Sequence, residues 1–343
     1  MVNWNRRDWM MGSAAMTLAS AAWPRAQTRE APIVIRIQAG DQIRQLPVAL
    51  AYHMGYFRDE GLDVTLAPMP AHVRTLDEAA RVPAVIFAGS FERTLYLNAQ
   101  GYRHTAFALV SRAPQMVLGA SALHMPAGMQ IADLLGAQIG VRSHGSLSQR
   151  VAQWVIMRSG LQPTDVQFVE LPDPRQAMAA LNSRKVDALC YGDPIATQLE
   201  LTGMLRILKD TRTMRDTERV FGGPVACTCL SAPTAFIDAN PQVIQSLTNA
   251  VVRAMRWLRT AGPSDLMRHV PESLLHGDRR VFLEAFFRSR ESLSTDGFMA
   301  DGAASNVLQA LERLRLPMNW QVVQLPVTYT NRFVMRSVQL YRA

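Results

Sequence analysis

The chain is poor in cysteine. Its 343 residues contain three, Cys190, Cys227 and Cys229, and none precedes Cys190. Three cysteines allow at most one bridge, and an odd number leaves at least one free thiol. Cys227 and Cys229 are two apart in an apolar run, so on a strand they point to the same side. They read as small apolar fillers, because a metal site would need further ligands and no histidine is close to them in sequence. Long apolar runs are missing too. Nothing approaches about 18 uninterrupted apolar residues, so no membrane-spanning helix is expected. The net charge is +8, but the arginines are scattered with no basic run. That is the pattern of a solvated surface, and it predicts no nucleic-acid interface. There is no G-x-S-x-G, no H-E-x-x-H and no phosphate-loop G-x-x-x-x-G-K. The seven histidines are dispersed, and only His144, beside Gly145-Ser146, falls near a predicted site. No enzyme, cofactor or metal is therefore expected.

Residues 1–26 differ from the rest. Arg6-Arg7 stand in Asn5-Arg6-Arg7-Asp8-Trp9-Met10-Met11. A weakly apolar run from Trp9 to Trp23 follows, then small residues around Ala19-Ser20-Ala21 and Pro24-Arg25-Ala26. A charged start, an apolar middle and a small-residue end make a secretory signal. The run of about 15 residues is too short for a comfortable bilayer span of about 20. The arginine pair resembles the twin-arginine export signal. Cleavage is expected between Ala21 and Ala26, with Ala19–Ala21 the cleaner site. A lipid anchor needs a cysteine just behind such a signal. Its absence predicts a soluble, periplasmic mature protein.

Beyond the signal, strands and helices alternate. Strands are expected at Ile33–Ile37, Leu62–Leu66, Ala84–Phe87 and Thr105–Val110, with helices at Leu46–Met54, Val73–Ala80 and from Gly89-Ser90 to Asn98. The alternation then restarts. Strands fall at Gln138–Val141, Val166–Val169, Val186–Cys190 and Leu205–Leu208, and helices at Gly145–Gly160, Gln176–Ser183 and Ile195–Leu201. Such alternation implies βαβ crossovers and largely parallel sheets. Val225–Leu230 reads as a strand returning to the first sheet. Asn240-Pro241 reads as a helix cap with proline at the first position. A long amphipathic helix follows, with Val243, Ile244, Leu247, Val251, Ala254, Met255 and Leu258 on one stripe. Further helices are expected at 278–292 and 300–315. The fold expected is α/β and two-lobed. Residues 30–114 begin lobe 1, 115–215 form lobe 2, and 216–343 return to lobe 1 and add C-terminal helices. Ligands of open α/β sheets bind beyond the carboxyl ends of strands, so the cleft between lobes is the expected site.

Three segments carry a family resemblance. Pro47 to Val64, containing Gly55-Tyr56-Phe57 and Glu60-Gly61-Leu62-Asp63-Val64, is the most specific. Ile131 to Val141, running into Gly145-Ser146, is the second. Ala179 to Ala188 is the third, with Arg184 where glycine is common. Over roughly residues 32–260 the chain resembles the nitrate-, sulfonate- and taurine-type periplasmic substrate-binding proteins of ABC importers. The thiamine-pyrimidine-precursor binders are related to these. The resemblance implies a type II periplasmic-binding-protein fold. It also implies a small-molecule ligand and a membrane permease with its ATPase as partner. A monomer is expected. Fungal relatives of this fold form pyrimidines with a cysteine-rich motif, and this chain has no such cluster.

The candidate contacts come from strand ends. Helix starts after strands offer unpaired N–H groups and a positive dipole end, which suit anions. Gly89-Ser90-Phe91-Glu92, Gly145-Ser146 and Tyr191-Gly192-Asp193 are such turns, although Ser146 has a capping role open to it. Gln42, Arg44 and Gln45 follow the first strand from Asp41. Arg44 and Arg112 are suited to grip a carboxylate or sulfonate. Asp193 and Glu92 suit instead an amine, an aminopyrimidine or a hydroxyl. Phe91, Tyr191 and Phe221 are able to stack on a flat ligand or simply to pack. Phe221-Gly222-Gly223-Pro224 falls at the second crossing, as hinge or cleft wall. The leading expectation is a small organic anion, a sulfonate or carboxylate. The alternatives are a thiamine pyrimidine precursor, a pyrimidine-forming enzyme on the same fold, and a periplasmic sensor partner.

Overall fold

Two five-stranded sheets organise the chain. The computed structural model describes residues 33–37, 42–69, 86–275, 278–316 and 318–341. The export signal, the expected helix Val73–Ala80, the first residues of the expected strand Ala84–Phe87, and Asp41 all lie outside them.

The first sheet has the order β2-β1-β3-β10-β4. Its strands are β1 (Ile33–Ile37), β2 (Val64–Pro68), β3 (Ile86–Ser90), β4 (His104–Ser111) and β10 (Thr228–Pro233). The second has the order β7-β6-β8-β5-β9. It consists of β5 (Met116–Ser121), β6 (Gln138–Val141), β7 (Gln167–Glu170), β8 (Ala188–Gly192) and β9 (Leu205–Asp210). The sheets are mixed rather than purely parallel. β10 pairs antiparallel with both β3 and β4, and β5 pairs antiparallel with both β8 and β9. Each odd strand is the one the chain lays down immediately after crossing between sheets. β5 went unforeseen in the sequence, whereas the return of the chain through β10 agrees with it.

Local chemistry explains the helices. α1 (Leu46–His53) starts with Pro47 in its first turn and stops at Gly55, whose φ of +78° is left-handed. α4 (Leu147–Arg158) likewise stops before Gly160, at φ +93°. Arg184 holds the left-handed turn, φ +62°, that glycine commonly fills in the resembling family. The 20-residue helix α9 (Pro241–Thr260) buries Ile244, Leu247, Val251, Ala254, Met255 and Leu258 against the first sheet. Its expected cap differs in detail. The Asn240 side chain does not accept from the helix but donates through Nδ2 to the Phe236 carbonyl, at 3.0 Å. Residues 32–343 form one compact unit that holds both sheets. Among the described residues no helix is long and apolar enough to cross a membrane.

Candidate ligand cleft

The topology places the site. The chain leaves the first sheet at the carboxyl end of β4, Ser111, and enters the second at Met116. It leaves the second at the carboxyl end of β9, Asp210, and re-enters the first at Thr228. Both crossings therefore join the same edges, and the carboxyl ends of the parallel strands face one another. Register fixes what stands there. Thr228 pairs with Ser90 on one side and Ser111 on the other, while Met116 pairs with Gly192. The two crossings also touch: Gln115 N donates to the Thr211 carbonyl at 3.0 Å, and Thr211 N to the Met116 carbonyl at 2.9 Å.

The loop after β1 reaches across. Gln42, Arg44 and Gln45 are all buried. Gln45 Nε2 donates to the Ala88 carbonyl at 3.3 Å. Gln42 Oε1 is buried without a hydrogen-bond partner. A Cβ on Gly192 would stand 3.1 Å from that oxygen and 3.2 Å from the Gln115 carbonyl. Only glycine tolerates so close an approach without displacing a neighbour.

Ser90 is the buried first residue before α3 (Phe91–Ala99). Two residues on, Glu92 meets Arg150 of α4, with Nε donating to Oε2 at 2.6 Å. Arg150 Nη1 also donates to the Gly145 carbonyl. Ser146 caps α4, weakly accepting from Gln149 N at 3.4 Å. Its hydroxyl donates to the Ser143 carbonyl at 2.6 Å and lies 2.9 Å from Ser148 Oγ. Trp154 of α4 stacks on Phe221, with ring centres 5.9 Å apart and planes 6° apart. Phe221 is the last residue of α7 (Met214–Phe221). Several of these groups, but not Ser146, line a cavity of about 30 Å³. Ser90, Glu92, Arg150 and Cys227 contribute to it alongside Trp154, Phe221, Val307, Ala310 and Leu311. A water or two fills that volume.

Other candidates are engaged elsewhere. Asp193 is fully buried, and its carboxyl accepts from Thr197 N at 3.0 Å, Thr197 Oγ1 at 2.7 Å and Ser289 Oγ at 3.1 Å. Burial pushes this carboxyl above the usual range, against the pull of Arg212 and those hydrogen bonds. The Arg112 guanidinium donates to the Glu291 carbonyl at 2.7 Å, so it ties the crossing to the C-terminal segment. The Tyr191 hydroxyl donates to the Leu171 carbonyl. Phe91 is fully buried in the apolar cluster under α3. Gly89 is paired to Cys229 inside the sheet.

Several residues of this cluster carried no sequence signal. Arg150 and Trp154 stand in the middle of α4, where a charged or aromatic residue reads as ordinary helix surface or core. All three cysteines are buried and unbridged. Burial pushes the Cys227 thiol up to about 11. Arg44 and Arg150 pull against it, and Glu92 pushes with it. Among the described residues no group of three or more His, Cys, Asp or Glu is placed to hold a metal ion.

Two mixed α/β sheets, joined by two crossings with a cleft between their carboxyl edges, define the periplasmic-binding-protein fold. Residues 35–269 match the NMT1-like family, and the chain belongs to it. A solved structure from Bordetella bronchiseptica RB50 is 37% identical, with a TM-score of 0.84 over 92% of this chain and 99% of its own. The alkanesulfonate-binding protein SsuA from Xanthomonas axonopodis pv. citri, bound to MOPS, is 18% identical. Its TM-score is 0.67, over 88% of this chain and 99% of its own. A cysteine-to-serine mutant of the desulfurase DszB, in complex with biphenyl-2-sulfinic acid, shares the fold at 16% identity. Its TM-score is 0.62, over 91% of this chain and 100% of its own. No curated protein matches the chain.

Proposed function

We propose that the protein is the solute receptor of an ABC importer and binds a small organic anion, of sulfonate or carboxylate type, between its lobes. One observation carries this reading. A buried guanidinium, Arg150, and an aromatic stack, Trp154 on Phe221, line the same cavity between the two sheets. A guanidinium grips an oxyanion with paired hydrogen bonds, and the stack suits an apolar body. Arg44, Ser90 and the unpaired Gln42 Oε1 stand at the same edges. SsuA with MOPS and DszB with a sulfinate both hold sulfur oxyanions on organic bodies, which supports the class.

The lobes in this reading are 30–114 with 216–343, and 115–215. Ligand contacts from both sides drive their closure, and a permease reads the closed form in the periplasm. Receptor is favoured over enzyme by the state of the cysteine in the cavity. The Cys227 thiol lining it is held protonated at neutral pH, and a thiol attacks only as thiolate.

A thermal-shift screen against sulfonates, carboxylates, nitrate and pyrimidines tests the reading. A ligand at 100 times its Kd adds about 2.7 kcal/mol of stability. A melting shift with pyrimidines alone would refute the anion class, and consumption of the bound compound would refute the receptor.

A further inference from the structure

Glu92 and Arg150 come from opposite lobes. Glu92 follows β3 of the first sheet, and Arg150 follows β6 of the second. Their side chains are 13% and 4% exposed. Arg150 Nε and Nη2 both lie on Glu92 Oε2, the first at 2.6 Å. Arg150 is held from its own lobe by the Gly145 carbonyl, and Glu92 is the acid that the other lobe brings to it. Taking two charges out of water carries a large desolvation penalty, so a buried pair is weak evidence of a purely stabilising role. This pair also lines the cavity.

Resting on the anion-receptor reading above, we propose that Glu92 is an intramolecular competitor for the ligand. Its carboxylate holds Arg150 while the cleft contains no anion, and yields it when one enters. A carboxylate or sulfonate makes on a guanidinium the same kind of contact that Glu92 makes. An entering anion must therefore either displace Glu92 or share Arg150 with it, and two like charges at one guanidinium repel in a site poor in water. Both routes lower the affinity for anions. The same pair links the lobes, so it favours closure in the absence of ligand. A protein mostly closed must open before it binds, which lowers apparent affinity by the fraction competent. A neutral ligand that avoids Arg150 meets only the second of these effects. Glu92 thus tunes anion affinity downward and sets the balance between open and closed forms.

The test is isothermal calorimetry with hexanesulfonate and benzoate on the wild-type protein, Glu92→Gln, Glu92→Asp and the double variant Glu92→Gln with Arg150→Gln. Small-angle scattering without added anion gives the radius of gyration of each. Glu92→Gln should bind the anion at least about tenfold more tightly, a coupling at the low end of those measured for close charge pairs. Its radius of gyration without anion should rise above that of the wild type. Glu92→Asp keeps the charge but sets it one methylene further from Arg150, so it should fall between the wild type and Glu92→Gln in affinity; binding as tight as Glu92→Gln would overturn the proposal. The double variant should lose the gain. Unchanged or weaker binding by Glu92→Gln, with the wild type still binding the anion, overturns the proposal and leaves the receptor reading standing. A double variant as tight as Glu92→Gln overturns it as well, because Arg150 is then not the grip. A wild-type protein that binds neither probe, but does bind a pyrimidine, removes the anion reading itself and this proposal with it.

Discussion

Replacing Asp193 with alanine separates a structural acid from a ligand-binding one. The side chain is fully buried. It accepts from Thr197 N, Thr197 Oγ1 and Ser289 Oγ at 3.0, 2.7 and 3.1 Å. Thr197 lies in α6 (Ile195–Leu201) of the second lobe and Ser289 ends α12 (Arg279–Ser289) of the returning chain. Asp193 therefore fastens a helix start and ties it to the returning chain. Alanine leaves three donors without their acceptor, each worth about 1–3 kcal/mol if it stays buried and unpaired. The two hydroxyls can rotate toward other acceptors, and the backbone N–H cannot. Arg212 keeps its own partners, Asp210 Oδ2 at 2.6 Å and Glu200 Oε2 at 3.1 Å. The net loss is therefore placed near the lower end of the sum, at about 3 kcal/mol. At about 2.1 cal/mol/K per residue of unfolding entropy, that lowers Tm by about 5 °C if residues 32–343 unfold together. Scanning calorimetry reads the shift, and calorimetric titration of the same sample reads ligand affinity. A Tm unchanged within a degree, together with a tenfold loss of affinity, would refute the structural assignment and make Asp193 a ligand contact.

His104 predicts acid sensitivity. Burial, aided by the neighbouring Arg93, holds its pKa down to about 3, while an unfolded histidine titrates near 6.5. The unfolded chain binds the proton first, so stability present above pH 6.5 is lost as pH falls toward 3, at about 1.4 kcal/mol per pH unit. Denaturant midpoints at pH 7 and pH 5 should differ accordingly, and His104→Gln should flatten the difference. Arg184→Gly should stabilise the protein by about 1 kcal/mol in urea unfolding, because arginine is held at φ +62° where a Cβ is disfavoured; a loss of stability would mean that the Arg184 Nε donation to His124 Nδ1 at 2.9 Å outweighs the strain. The buried thiols should not react promptly with a disulfide reagent in the native protein, and all three should do so after unfolding. A rapid native reaction at Cys227 would contradict its protonated, enclosed state. Gly192→Ala should cost about 1–3 kcal/mol by pressing on Gln42 and the Gln115 carbonyl, read as a lower Tm.

Much of the fold was legible because β-branched runs and helical periodicity agree with it. β1 and β6 occupy the segments expected of them, and α9 follows its apolar stripe. Two elements were hidden for physical reasons. β5, Met116–Ser121, has a Met-Val-Leu-Gly-Ala-Ser composition with little β-branching, and it follows Pro114 closely. Its strand character comes from being flanked by β8 and β9, which no local pattern reveals. α7 buries only Thr217 and Val220, so its apolar stripe is too thin to register. A local signal did exist, since Thr213 accepts from Asp216 N at 3.1 Å in a helix-capping arrangement.

The site divides along the same line. Strand ends are a property of alternation, so the sequence locates Gln42, Ser90, Ser146 and Gly192 at the carboxyl edges. Partnership is a property of the folded lobes. Asp193 and Glu92 carry the same carboxyl group, each just beyond a strand, and the sequence offers both as cleft acids on equal terms. What separates them is what stands opposite. Asp193 accepts from a helix start and a serine hydroxyl, which occupy both its oxygens, and the guanidinium beside it, Arg212 at 3.7 Å, is not among the groups lining the cavity. Glu92 meets a guanidinium that lines the cavity, 58 residues away in the chain. An acid whose partners all lie away from the cavity has no cause to move when an anion enters it. An acid whose partner is a cation that the proposed anion also seeks must compete for it. The two carboxyls therefore predict opposite results from one assay: truncating Asp193 changes melting, and neutralising Glu92 changes affinity.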